Sequence, residues 1–197
     1  MLTSASGGCK TPQFRNPAHE TNFMLNLLRK SAARKAFAAR LESQLVARAR
    51  DTYFFRTLTI PDTVDGRFDL VALHGWLVLE RLKAAGMDAA AQALTDNLFI
   101  GFDEALREQG TGDMGMGRRM KAIASAFFGR LSVYSKAMDG NSLAQALARN
   151  VWRGASVDDR ARALASYVAS ARIALSRADL AGGVLDFGPL PDLKVGP

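Results

Sequence analysis

The sequence predicts an all-α protein, a single-domain bundle of six or seven helices with an extended C-terminal tail. Three observations carry this. Alanine and leucine dominate while β-branched residues are sparse, a balance that favours helix. Met116, Met120, Ile123, Phe127, Leu131 and Tyr134 recur at intervals of 4, 3, 4, 4 and 3 residues, the period of one helix face. No section is rich enough in strand formers to build a sheet, and no long internal repeat occurs. A chain of 197 residues suits one domain and can bury a core without disulfides or metal.

Taken in order, residues 1–22 lack helical periodicity and contain Gly7, Gly8, Pro12 and Pro17, so they read as a disordered leader. Met24 opens a stretch that resembles a natural protein start, which would make the residues before it an extension. A short basic amphipathic helix is expected over residues 23–36, with Leu25, Leu28 and Ala32 set against Arg29, Lys30, Arg34 and Lys35. The main helical domain then spans 37–181, starting with a helix from Phe37 to about Thr57 whose stripe is Leu41, Leu45, Ala49, Thr52 and Tyr53. Pro61 ends that unit, because proline removes a backbone donor and disfavours helix in the residue before it.

Asp62 or Asp65 is placed to cap the next helix, Arg67 to Ala85. That helix is apolar nearly all round, from Phe68 and Leu70 through Trp76 to Leu82, and belongs in the centre of a bundle. Gly86 stops it. Further helices are expected over 87–109, 114–138, 142–153 and 157–180. The tail, 182–197, should lie extended and dock through Val184, Leu185, Phe187 and Leu190.

Charge placement is informative. Residues 1–60 carry 10 Lys and Arg against 3 Asp and Glu, while residues 61–197 carry 16 of each, so the net +7 lies wholly in the first third. A basic end on a neutral body suits an anionic surface such as a ribosome, RNA or anionic lipid, with Arg29, Lys30, Arg34 and Lys35 as the contact residues. The longest uncharged apolar run, Leu70 to Leu79, is well short of the roughly 20 residues a membrane span needs. The single cysteine, Cys9, excludes an intrachain disulfide and fits a reducing compartment. No basic start or apolar segment precedes it, as a secretory signal would require.

Motifs for chemistry are weak. Gly110 to Gly115, GTGDMG, matches a dinucleotide fingerprint by letter, but a helix precedes it where the fingerprint needs a strand. A helix linker is the better reading, with Asp113 as a cap. His19 and His74 are the only histidines and neither belongs to a metal-ligand spacing, so no metal or cofactor is expected. His74 is expected to be a hydrogen-bonded polar residue within the bundle. Asp96, Asp103 and Glu104 share a helix face with Arg107, a pattern that points to solvated i,i+4 pairs rather than to acid–base catalysis. Two apolar residues look misplaced. Ile100 falls on the polar face of its helix, and Phe54 falls opposite the Leu41–Leu45 stripe near Arg50. Together they are candidates for a client-binding patch.

Two blocks carry a family resemblance: TLTIPDTVDGRFDLVALHGWLVLERL, Thr57 to Leu82, and the block from Ala93 to Met138 that ends RLSVYSKAM. With LAQALARNVWRG after them, they resemble the ubiquinol–cytochrome c chaperones. The resemblance implies a helical fold without catalytic residues. It also implies a role in binding newly made cytochrome b during complex III assembly, in some members with a small partner protein. Bacterial-type members are shorter and lack a membrane anchor. The family-like polar positions here are Asp62, Thr63, Arg67, Asp69 and His74, expected to act as helix caps and a buried polar network. The expected location is cytoplasmic or peripheral at the inner membrane, and mitochondrial in a eukaryote. A ribosome- or RNA-binding module acting through the basic helix is the alternative; neither an enzyme nor a DNA-binding protein is expected.

Overall fold

The computed structural model describes residues 17–108, 110, 113–154 and 156–190. The chain divides into two compact units, Met1–Ala33 and Arg34–Pro197. Seven helices and no strand occur among the described residues: α1 Pro17–Ala49, α2 Thr52–Arg56, α3 Val64–Ala84, α4 Asp88–Glu108, α5 Asp113–Lys136, α6 Gly140–Val151 and α7 Asp159–Arg177. The expected all-α bundle is therefore what the chain forms.

The N-terminal third differs from expectation in two ways. Helix starts at Pro17, inside the stretch read as a disordered leader, and residues 1–16, with Cys9, lie outside the described residues. Proline suits a first helical position because its missing donor would be unpaired there. No break occurs near residue 36 either, since Ala32, Ala33, Arg34, Lys35 and Ala36 are all good helix formers. The break falls instead at Asp51, whose carboxylate accepts from the Tyr53 amide at 2.9 Å and starts the short helix α2. Within the second unit, Ala38, Leu41, Leu45 and Ala49 of α1 are buried, at 0–1% exposure.

The turn into α3 is tight. Thr63, not Asp62 or Asp65, caps the helix, its hydroxyl accepting from the Gly66 amide at 3.2 Å. A Cβ at Gly66 would lie 2.0 Å from the Pro61 carbonyl oxygen, so only glycine lets the helix start this close to the preceding strand of chain. As its composition predicts, α3 is the central element and packs against α4, α5, α6 and α7. Leu70, Leu73, Trp76, Leu77, Val78 and Leu82 are at most 2% exposed. The helix ends as expected at Gly86, with φ +70°, where the Met87 amide reaches the Leu82 carbonyl and the Gly86 amide reaches Lys83.

α6 and α7 pack as a hairpin, each started by an aspartate. Asp139 and Ser142 form a reciprocal capping box, and Asp158 accepts from the Ala161 amide at 3.0 Å. After α7 the chain runs without helix from about Ala178 to Leu190, with Phe187 buried, Leu185 and Leu190 half-buried against the core and Val184 exposed. No helix among the described residues is long and apolar enough to cross a membrane.

Candidate functional site

The polar positions near the start of α3 separate into surface and core. Asp62 and Arg67 pair at 2.6 Å with both side chains more than half exposed, a contact of little energetic weight. Asp69, two residues on, is fully buried. Its Oδ1 accepts from Arg130 Nε at 2.7 Å, and Arg153 Nη2 lies 3.1 Å from Oδ2. The Arg153 contact is one of charge; Oδ2 accepts no aligned hydrogen bond from the described residues. Burial pushes the Asp69 carboxyl up, and the two guanidinium groups pull it down. The cluster ties α3, α5 and the α6–α7 turn together, with Arg130 also stacked 4.9 Å over the Phe68 ring.

His74 forms the second polar network. Its Nδ1 lies 2.7 Å from the Leu70 carbonyl and its Nε2 lies 2.8 Å from the Tyr167 hydroxyl. A carbonyl only accepts, so Nδ1 carries the proton and Nε2 accepts from Tyr167. The Tyr167 oxygen in turn accepts from Arg48 Nε at 3.0 Å. The histidine is thus a satisfied core residue, and the relay links α1, α3 and α7. Burial pushes its pKa down to about 4, opposed by the Leu70 hydrogen bond and assisted by Arg48. Unfolded chain takes up this proton near pH 6.5 and folded chain does not. Stability contributed by neutral His74 is therefore complete above that pH and lost as pH falls toward 4, by about 3 kcal/mol. Asp69, with its carboxyl raised, works in the opposite direction over the acidic end of that range. Urea denaturation across pH 4–7.5 should show this fall, and His74→Phe should flatten it; an unchanged slope in the variant would remove His74 as its source.

An open groove of about 610 Å³ lies between α3, α4 and α5 in the second unit. Trp76, Leu79, Ala91, Thr95, Phe128 and Leu131 line it, and Glu80, Lys83 and Asp88 stand at its edge. The groove is partly pre-set by its neighbours. Trp76 Nε1 donates to Ser135 Oγ at 2.9 Å, and the Arg172 guanidinium lies 5.3 Å over the indole. Arg172 also grips the Glu80 carboxylate with two nitrogens, Nε at 2.8 Å. Phe128 is 50% exposed and stacks on Phe99 with centroids 5.7 Å apart. Phe99, Phe102 and Phe127 continue this aromatic cluster inward.

Of the two residues expected to form an exposed patch, Ile100 is on the surface and Phe54 is not. Phe54 is fully buried, its ring edge-on to His74 at 5.3 Å and to Tyr167 at 5.4 Å. Nine residues from Leu45 along one helix would face it outward, but the break at Asp51 resets the helical phase. Ile100 is 57% exposed and does not line the groove, whose α4 wall is Asp88, Ala91, Gln92 and Thr95. Arg29, Lys30, Arg34 and Lys35 are exposed. Phe128, exposed beside the groove, is not among the residues the sequence analysis singles out. The doublet Phe127–Phe128 carries a signal, since on a helix with one apolar stripe adjacent residues point about 100° apart.

The carboxylates on α4 are paired locally: Asp103 accepts from Arg107 at 2.8 Å and Asp96 from Gln92 at 2.8 Å. The glycine motif joins α4 to α5, which starts at Asp113, so helix flanks it on both sides; residues 111 and 112 lie outside the described residues. Among the described residues no three potential ligands cluster to hold a metal ion.

These features define a helical bundle with an open, aromatic-floored groove and a rigid polar frame. The ubiquinol–cytochrome C chaperone family matches residues 56–182 of the chain. The fold is similar to the crystal structure of the Cbp3 homolog from Brucella abortus, with a TM-score of 0.75 and 35% identity over 85% of this chain and 97% of that one. No curated protein sequence matches significantly. The chain belongs to the ubiquinol–cytochrome c chaperone family.

Proposed function

We propose that the protein holds newly made cytochrome b during assembly of ubiquinol–cytochrome c reductase, acting by binding rather than catalysis. The observation that supports a client-holding surface is the half-exposed Phe128 above the groove floor of Trp76, Leu79 and Leu131. An apolar segment of a membrane protein would cover the exposed face of Phe128 and be shielded from aggregation. Aspartate at Phe128 would instead set an unpaired charge against that segment, which is costly. Phe128→Asp is expected to fold and to capture cytochrome b about tenfold less, a change of roughly 1.4 kcal/mol. Ile100→Asp should melt within about 0.5 kcal/mol of the parent, and its capture level reports whether the client reaches round α4. The measurement pairs thermal melting with client co-purification from cells. Wild-type capture by Phe128→Asp would remove the groove from consideration.

The four exposed cations on α1 favour an added surface-binding role, at a ribosome or an anionic membrane. Replacing Arg29, Lys30, Arg34 and Lys35 with glutamine is expected to weaken binding to ribosomes or anionic vesicles while sparing client capture. The parent's binding should fall as salt rises, because exposed charges are screened over about 8 Å at physiological ionic strength. Loss of client capture in this variant would favour the reading in which the basic segment is itself the binding module.

A further inference from the structure

Residues 182–190 cross the second unit as a strap. Beyond Val184 no backbone group of the strap bonds to another backbone group among the described residues. Side chains on one face of α1 hold it instead. Arg40 Nη1 donates to the Gly182 carbonyl at 3.2 Å and Gln44 Nε2 to the Gly183 carbonyl at 2.8 Å. Gln44 Oε1 accepts from the Leu185 amide at 3.0 Å, and Arg48 Nη2 donates to the Gly188 carbonyl at 2.6 Å. Residues 40, 44 and 48 lie one turn apart, so they form a ladder along the helix.

The ladder reads backbone and is indifferent to sequence. Selectivity comes from one socket, where Phe187, 6% exposed, sets its ring edge-on to His74 at 5.3 Å. Gly183 and Gly188 have φ of +74° and +68°, and a Cβ at Gly188 would lie 3.3 Å from the Ala174 Cβ. The strap is therefore seated by four side-chain-to-backbone hydrogen bonds, the buried Phe187 ring and the half-buried Leu185 and Leu190.

We propose that the strap's seat between α1 and α7 is a peptide-binding site, closed in cis by the strap, that takes an extended segment of an apolar client carrying one aromatic side chain. The client's identity rests on the chaperone reading; the site itself does not. A tethered strap acts at an effective concentration on the order of millimolar, so it excludes a separate peptide until it is loosened.

The probe is a fluorescein-labelled synthetic peptide with the strap's own sequence, GGVLDFGPL, added to full-length protein. Gly188→Ala strains the strap and leaves the socket intact; Phe187→Ala empties the socket. Both variants should bind the peptide at least about tenfold more tightly than the parent chain does, given that tether. The same peptide with alanine in place of the phenylalanine should bind none of them. Equal binding of the two peptides, or cooperative melting of both variants with no gain in binding, would overturn the proposal. Hydrogen exchange on the unaltered chain supplies an independent measurement: the Leu185 amide should exchange through an opening well below global unfolding, and exchange only by global unfolding would also sink it. Because the probe is the strap sequence, its binding and the Phe128-dependent capture of cytochrome b can fail separately.

Discussion

Replacing Phe54 with aspartate is expected to leave a chain with no cooperative melting transition at 25 °C. Phe54 has no exposed surface and sits in α2 against α3 and α7, edge-on to both His74 and Tyr167. Removing a buried aromatic costs about 3–5 kcal/mol. A carboxylate left there without a partner adds several kcal/mol more, whether it stays charged or is forced to take a proton. The total is comparable with the roughly 5–15 kcal/mol that holds a domain together. Phe54→Leu keeps most of the volume and should cost less than about 1.5 kcal/mol. Circular dichroism with heating checks both, and an aspartate variant that melts like the parent would mean that Phe54 is on the surface after all.

Trp76→Ala should destabilise by about 3–5 kcal/mol, as expected for truncating a buried aromatic, which for a domain of this size lowers Tm by about 6–20 °C. The indole is 2% exposed, donates to Ser135 across to α5 and lies 5.5 Å from the Tyr134 ring. Its loss therefore loosens the α3–α5 seam and opens the groove floor together. Urea denaturation followed by circular dichroism gives the number directly, as a lower midpoint with an unchanged slope. A wild-type midpoint would show that α3 is not the centre of the bundle. Client capture should fall in this variant through both effects, which is why the exposed Phe128 is the better probe of binding alone.

Much of the fold was legible in the residues. The apolar circumference of α3 required a central position, and the 4, 3, 4, 4, 3 spacing defined the inner face of α5, where Met116, Phe127 and Tyr134 are buried. Gly86 marked a helix end because a left-handed residue was needed there. Helical phase does not carry across a junction. One helix extended through Asp51 would turn Phe54 outward, whereas the break there turns it inward, and Thr63 rather than a neighbouring aspartate caps α3.

The sequence by itself determined the helical class, the central helix, the basic first third and the membership that the comparison with relatives bears out. Those properties follow from local periodicity, composition and ordered blocks of residues, all of which are written along the chain. Tertiary structure alone decided that Phe54 is core, that Phe128 stands half-exposed over a groove, and that Asp69 meets both Arg130 and Arg153. It alone joined Arg48, Tyr167 and His74, and seated the strap on Arg40, Gln44 and Arg48. Contacts such as Arg48 to Gly188 span 140 residues. They depend on how helices rotate and cross, and a one-residue change of phase turns a side chain by about 100°, which no local pattern records.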